Sequence, residues 1–322
     1  MKAVRIKEYG GPNAMVCEDI DIPSLGASEV LVKIAASGIN YIDTYQRSGL
    51  YKIPLPSTLG LEASGTVEKI GNSVNGFKQG DRVAYTSVSG AYADYSAVPE
   101  EKLVALPDSL SFEQGAAAML QGCTAHYLCK STYAVKNGDS CLIHAGAGGV
   151  GLLLIQMVKN LGGFVISTVS TEEKAQLARE AGADEVIIYT ENDFEAEVSK
   201  ITDGAGVNVV YDSVGKNTFQ KSVDCLSKLG YMVLYGNASG QVTEFNPATL
   251  GSKGSLFLTR PTLFDYTASR ESLEWRSSDV FNWIADGTLN LRIEHLYPLV
   301  DVQQAHFDLE GRATTGKLIL TP

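Results

Sequence analysis

The sequence predicts an α/β protein in which a doubly wound parallel sheet is inserted into a β-rich module. Three observations predict it. Residues 140–162 read as an apolar strand, a glycine turn and an amphipathic helix. Further β-branched strand segments then alternate with helical ones to about residue 260. The first ~120 residues instead carry short strands broken by Gly, Pro and Asn turns. With 322 residues the chain exceeds the ~250 residues at which single cores stop growing. Two domains are therefore expected, one of residues 1–123 and 265–322, the other of residues 124–264.

The N-terminal strands are expected at Glu29-Val-Leu-Val-Lys-Ile-Ala, Ser64-Gly-Thr-Val-Glu-Lys-Ile, Asp81-Arg-Val-Ala-Tyr and Tyr92-Ala-Asp-Tyr-Ser-Ala-Val, an all-β module. Ser111-Phe-Glu-Gln114 has the spacing of a capping box ahead of an alanine-rich helix that leads into the second domain. There the strand Ser140 to His144 is followed by the glycine turn and its helix. Strand Phe164 to Val169 leads to a helix over Glu172 to Ala181, closed by Gly182. Strand Glu185 to Tyr189 leads to a helix over Asp193 to Ile201. Strand Val207 to Tyr211 leads to a helix over Thr218 to Leu229, closed by Gly230. Strands Tyr231 to Tyr235 and Ser255 to Thr259 complete the set. Beyond Phe264 one helix (Glu271 to Ile284) and short strands ending Lys317-Leu-Ile-Leu return to the β module, which makes an interdomain cleft the natural site.

Gly146-x-Gly148-x-x-Gly151 stands at the junction of strand and helix. Such a turn aims the unsatisfied N–H groups of a helix N-terminus at an anion, and its glycines let a pyrophosphate approach the main chain. A tight turn alone would also explain the glycines. The context favours a dinucleotide, because Val150, Leu153, Leu154, Met157, Val158 and Leu161 recur on one helical face and Gly162 sits where a left-handed C-cap ends the helix. An NAD site wants a carboxylate at the end of the next strand, about 20 residues beyond the glycines. The chain offers Ser170 and Thr171, with Lys174 in the next helix and Tyr189 at the end of the following strand. Without an acid to repel a 2′-phosphate and with a lysine to meet it, the expected cofactor is NADPH.

Composition narrows the classes. A net charge of −11 favours solubility and argues against nucleic acid or an anionic membrane as the general partner. No signal-peptide pattern opens the chain, and the apolar run from Gly149 to Val158 is short of the ~20 residues that span a bilayer. Five cysteines without CxxC spacing read as reduced thiols, hence a cytoplasmic protein. The histidines show no metal-ligand spacing, and His144 beside the glycine turn reads as structural.

Several segments in order carry a family resemblance. They are Gly38-Ile-Asn-Tyr-Ile-Asp-Thr-Tyr45, Leu59-Gly-Leu-Glu-Ala-Ser-Gly65, Gly80-Asp-Arg-Val83, Ala145-Gly-Ala-Gly-Gly-Val-Gly151, Val210-Tyr-Asp-Ser-Val-Gly215, Tyr235-Gly-Asn-Ala-Ser-Gly240, Leu258-Thr-Arg-Pro261 and Arg312-Ala-Thr-Thr-Gly-Lys317. Over its whole length the chain resembles the zinc-free quinone oxidoreductases of the medium-chain dehydrogenase/reductase superfamily, the zeta-crystallin-like branch. The resemblance implies a Rossmann domain inserted into a GroES-like β-barrel catalytic domain, a homodimer, and hydride or one-electron transfer from NADPH to quinones. The alcohol-dehydrogenase relatives bind catalytic zinc through a cysteine and a histidine on the segments near residues 37–43 and 60–62. Here those segments supply Ser37, Gly38, Asn40 and Asp43, then Gly60, Leu61 and Glu62, and one carboxylate cannot make a three-ligand site. No metal is expected. A quinone or activated alkene spreads incoming charge over its own conjugated oxygen, so a hydrogen-bond donor can replace the Lewis acid.

The resemblance implies acceptor-side roles for Asn40, Tyr45 and Tyr51, with Asn40 on the nicotinamide ribose or the acceptor oxygen. Cofactor contacts carried over are Thr124, Gly146, Gly148, Gly149, Val150, Gly151, Ser170, Lys174, Tyr189, Asn237, Ser239, Phe257, Leu258 and Thr259. Arg312 would close over the cofactor or form an interdomain salt bridge. The open edge strand Ser255 to Thr259 suits dimer pairing. No Ser–His–Asp, paired-carboxylate or activated-lysine constellation is visible. Two alternatives stand beside quinone reduction. One is an alkenal, enone or enoyl-thioester reductase using the same cofactor. The other is an RNA-binding or crystallin-like structural protein, disfavoured by the acidic charge and the lack of an arginine–aromatic stripe.

Overall fold

Short β-branched segments between glycine and proline turns build the first half of the chain, seen in a computed structural model that describes residues 1–312 and 314–322. Ala313, inside the Arg312 to Lys317 motif, lies outside the described residues. In order, the elements are β1 (Lys2–Ile6), β2 (Met15–Asp19), β3 (Glu29–Ile39), α1 (Tyr41–Ser48), β4 (Ser57–Thr58), β5 (Glu62–Ile70), β6 (Arg82–Thr86), β7 (Tyr95–Pro99), β8 (Leu103–Ala105) and α2 (Phe112–Tyr127). The glycine-turn region follows with β9 (Ser140–His144), α3 (Gly149–Asn160), β10 (Phe164–Val169), α4 (Glu172–Glu180), β11 (Glu185–Ile188), α5 (Phe194–Ile201), β12 (Val207–Asp212), α6 (Phe219–Asp224), β13 (Leu226–Leu234), α7 (Ala248–Ser252) and β14 (Phe257–Thr259). The chain continues through α8 (Leu263–Tyr266), α9 (Arg270–Ala285), β15 (Ile293–Pro298), α10 (Val302–Glu310) and β16 (Lys317–Thr321). It divides into two compact units, Met1–Cys123 with Tyr266–Pro322, and Thr124–Asp265.

In the first unit a sheet runs β15-β16-β3-β5-β6-β8, with β7 also paired to β3, and a second sheet runs β2-β1-β4. Val30, Val32 and Ile34 of β3 point alternately inward against Ala63, Val67, Val83 and Tyr85, the period-two pattern of a half-buried strand. Strand β16 lies antiparallel to β3, setting Leu318 opposite Ile39, so the end of the chain is stitched to the strand that precedes Asn40. The all-β expectation for this region needs a correction at α1. Asn40 is its extended N-cap (φ −136°) and Gly49 its left-handed C-cap (φ 82°). The Asp43 carboxylate accepts the Asn40 N–H at 2.7 Å. An N-cap, an acid at the third position and a closing glycine are helix signals that the short polar segment concealed.

The second unit is a six-stranded sheet in the order β11-β10-β9-β12-β13-β14, every pairing parallel. Leu142, Ile166, Val210 and Met232 are fully buried at its centre, as strands covered on both faces require. The order reverses between β9 and β12, and the carboxyl ends of strands beside such a switch point form the binding crevice of open α/β sheets. The helix expected over Thr218 to Leu229 is only Phe219–Asp224. Leu226 pairs with Val207 instead, so Gly230 lies inside β13 rather than capping a helix. Strand pairing with β12 overrides the local helical pattern.

Candidate active site

The glycine turn leaves β9 through Ala145, held in the left-handed region (φ 55°), a conformation that costs a non-glycine residue about 1 kcal/mol. Its carbonyl accepts the Gly148 N–H at 2.9 Å, and Gly146 N–H reaches back to Thr168 O at 3.1 Å. Two glycines are required by close approach. A Cβ on Gly146 would lie 1.9 Å from Ser167 Oγ, and one on Gly151 2.3 Å from Ala145 O. Gly148 caps α3 with no side-chain hydrogen bond, so no side chain at the cap competes with an anion for the first-turn N–H groups of Gly149, Val150 and Gly151. The cradle fits a pyrophosphate.

At the ends of β10 and β11 the chain assembles the polar group read from the sequence. Thr171 caps α4 and accepts the Lys174 N–H at 3.3 Å, which sets Lys174 in the first turn. Tyr189 N–H donates to Val169 O at 3.0 Å, and Thr190 Oγ1 donates to Ser170 O at 2.9 Å. Ser170, Lys174 and the exposed Tyr189 thus share one strand-end neighbourhood. The residues fit a ribose 2′-phosphate: hydroxyls and a lysine, and no carboxylate directly after β10.

Beneath the turn a buried relay joins strands to the next loop. Ser222 Oγ donates to Asp212 Oδ2 (2.9 Å) and therefore accepts from His144 Nε2 (2.9 Å). His144 Nδ1 then accepts from Thr168 Oγ1 (2.8 Å). Burial keeps the imidazole below its usual pKa, with Asp212 opposing, so His144 is a neutral tie between β9, β10 and α6. Asp212 Oδ1 accepts the N–H groups of Val214 (2.8 Å) and Gly215 (3.0 Å). This shapes the loop after β12, on which the loop after β13 rests. Ser239 N–H donates to Val214 O at 2.8 Å. The Ser239 hydroxyl accepts from Asn217 N–H and donates to Val214 O, and Asn237 is buried beside it. Phe257, Leu258 and Thr259 form β14, with Phe257 stacked on Tyr231 at 4.5 Å. Thr124 is a buried residue of α2.

The acceptor-side candidates lie in the first unit. Tyr45 and Tyr51 meet edge to face at 5.3 Å, Tyr41 adjoins Tyr45 at 6.4 Å, and Tyr51 N–H donates to Tyr45 O at 3.0 Å. Asn40 is buried with its amide engaged on both sides. Nδ2 donates to Glu62 Oε1 (2.7 Å) and, at 3.4 Å, to Gly38 O. Oδ1 accepts from Lys317 Nζ (2.8 Å) and Gln121 Nε2 (3.3 Å). Lys317 also forms an ion pair with Glu62, whose other oxygen accepts the Leu120 N–H at 2.6 Å. The sequence does not announce this buried cluster. Lys317 is remote from Glu62 in sequence, and only the β16–β3 pairing reveals it. Burial pushes the Lys317 ammonium down against the upward pull of Glu62. Arg312, also in this unit, follows α10 in the left-handed region (φ 58°).

A second buried chain starts at Asp43. Its Oδ2 accepts from Tyr92 OH at 2.7 Å, while Oδ1 is buried without a partner. Burial pushes this carboxyl up to about 7. Beyond Tyr92, His306 Nδ1 accepts from Arg47 at 2.8 Å, and burial with the Arg47 charge holds that imidazole down at about 3. Arg47 closes the chain with two bonds to Glu310 (2.8 and 2.9 Å).

Does this donor set suit a metal? Glu62 has one oxygen on an ammonium and an amide, and the other on a backbone N–H. Among the described residues no group of three or more His, Cys, Asp and Glu side chains gathers. The residues around Asn40 and Glu62 do not fit a catalytic metal.

Residues 26–108 match the family model described as alcohol dehydrogenase GroES-like domain, and residues 149–276 that described as zinc-binding dehydrogenase. A quinone oxidoreductase of Pseudomonas aeruginosa is 46% identical over 100% of this chain and 99% of its own length. A 2-haloacrylate reductase of a Burkholderia species is 40% identical over 99% and 98%. Among solved structures, the Escherichia coli quinone oxidoreductase complexed with NADPH superimposes with a TM-score of 0.98 at 44% identity, covering 100% of both chains.

Proposed function

The chain belongs to the zeta-crystallin-like quinone oxidoreductase family of the medium-chain dehydrogenase/reductase superfamily, and on that premise we propose that it is an NADPH-dependent quinone reductase working without a metal. The observation that carries this reading is the uncapped N-terminus of α3 at the sheet's switch point. The next strand end supplies Ser170, Thr171 and Lys174 in place of an acid.

When bound, NADPH supplies the hydride. The backbone of Gly146, Gly148, Gly149, Val150 and Gly151 would hold the pyrophosphate, and Ser170, Lys174 and Tyr189 would select the 2′-phosphate. Thr124, Asn237, Ser239, Phe257, Leu258 and Thr259 would orient the remainder. The paired rings of Tyr45 and Tyr51 offer a flat acceptor both stacking surface and O–H donors. Asn40, whose amide already serves Glu62, Lys317 and Gln121, contributes by holding this segment and meets a ligand only by exchanging one of those partners. A quinone that takes up the hydride and one proton leaves as hydroquinone, its charge spread over conjugated oxygens throughout. The 2-haloacrylate reductase relative favours a second reading, reduction of an activated alkene with the same residues.

Edge strand β14, with Phe257 and Leu258 exposed, suits a homodimer. No helix among the described residues is long and apolar enough to cross a membrane, and reduced cysteines suit the cytoplasm. NADPH oxidation followed in parallel with 1,2-naphthoquinone, an alkenal and crotonyl-CoA, with and without chelator, tests the reading. Turnover with the quinone and indifference to chelator are expected; turnover with the thioester alone rejects it.

A further inference from the structure

Lys317 is the one lysine among the described residues whose side chain is buried, at 2% exposure, and Glu62 beside it is fully buried. Taking two such charges out of water is costly, and apolar residues of the same volume would often stabilise a fold as well or better. Stability alone is therefore a poor account of the pair.

Its surroundings suggest another. The pair lies against Asn40, the residue that opens α1. An ionised carboxylate only accepts hydrogen bonds and an ammonium only donates them. With Glu62 on one side and Lys317 on the other, the Asn40 amide has one permitted orientation, Nδ2 toward Glu62 and Oδ1 toward Lys317. The Glu62 carboxylate also grips α2 through Leu120 N–H. Four elements thus meet at one point: β5 through Glu62, β16 through Lys317, α2 through Leu120 and Gln121, and the start of α1 through Asn40. Space for the pair is reserved by Gly38, where a Cβ would lie 2.2 Å from Glu62 Oε1 and 2.6 Å from Lys317 Cε.

We propose that Lys317 and Glu62 are positioning residues of the reductase: their buried ion pair locks the Asn40 amide and thereby fixes the segment from Asn40 to Tyr51 that presents the two tyrosines to the acceptor. The inference rests on the quinone-reductase reading and deepens it on the acceptor side. The α3 turn and Lys174 belong to the other unit, so loss of the pair acts chiefly on acceptor turnover and leaves the phosphate-binding residues in place.

The test uses the full chain as K317M, E62Q and the double variant. Steady-state oxidation of NADPH with 1,2-naphthoquinone, a fluorescence titration of NADPH and amide hydrogen exchange over residues 40–51 and 149–160 are measured on each. K317M is expected to lower kcat about 10-fold and raise the acceptor KM, with NADPH Kd within about twofold of wild type. Exchange over residues 40–51 should rise about 10-fold and that over 149–160 should not change. The double variant, which leaves no uncompensated carboxylate, should recover part of the kcat lost in K317M. Should K317M fail to fold, E62Q, nearly isosteric with the native residue, reads the same quantities. Wild-type kcat together with wild-type exchange over residues 40–51 overturns the proposal, as does a loss confined to thermal stability. A wild-type protein inert toward quinone, in which K317M still loosens residues 40–51, overturns the activity and leaves the positioning role standing.

Discussion

Lys174 is held in the first turn of α4 by the Thr171 cap, so its ammonium is delivered to the strand end where a 2′-phosphate would sit. Lys174→Ala should weaken NADPH about 10-fold, the worth of one charge-assisted contact, and leave NADH nearly unaffected. Titrating both cofactors checks it, and equal losses would remove the lysine from phosphate recognition. Asp43 carries a pH effect. Its carboxyl rises from an ordinary 3.8 to about 7 because burial outweighs its bonds from Tyr92 and Asn40. A raised folded-state pKa means a contribution complete below 3.8 and lost as pH climbs through about 7. His306 acts in the opposite sense. Held at about 3, it adds stability above its unfolded value that disappears as pH falls through about 3. Between pH 5 and the ordinary histidine value of 6.5 the two effects oppose each other, so calorimetry should show a nearly flat wild-type profile there, while Asp43→Asn removes the Asp43 fall and leaves stability rising with pH over that range.

Among the elements, α2 has the most sequence-legible start. Ser111 Oγ accepts the Gln114 N–H at 3.2 Å and Gln114 Oε1 accepts the Ser111 N–H at 2.9 Å, the reciprocal cap that its spacing predicts. Ser111→Ala should cost about 1 kcal/mol, measured by urea unfolding, with kcat unchanged. The strands of the second unit were equally legible, because buried parallel strands must be continuous β-branched runs. Helices α1 and α6 were not. The polar α1 shows no apolar stripe, its inward residues being Asp43, Thr44, Gln46 and Arg47. Helix α6 is cut short because its downstream residues gain more by joining a sheet than by continuing a helix. Element type follows local pattern only where no partner strand competes for the same residues.

For the whole molecule, assembly is the open prediction. β14 leaves Phe257 48% and Leu258 36% exposed on the edge of the sheet, and unpaired edges invite another strand. Leu258→Glu should convert a dimer to a monomer in light scattering. A wild-type chain that is monomeric at micromolar concentration would remove the edge from assembly.

The glycine turn between strand and helix, the polar strand end at Ser170 to Lys174 and the lack of Cys and His on the segments near residues 37–43 and 60–62 were readable from the sequence alone. Each depends on residues close together along the chain, where spacing is geometry. The family resemblance, too, was carried by short local segments. What only tertiary structure decided is the polar interior of the first unit. Lys317 reaches Asn40 and Glu62, Arg47 reaches His306 and Glu310, and His144 reaches Ser222, across long stretches of chain. No periodicity encodes which buried charge meets which, because that follows from strand order and from the cost of leaving a charge unpaired once the sheets have closed around it.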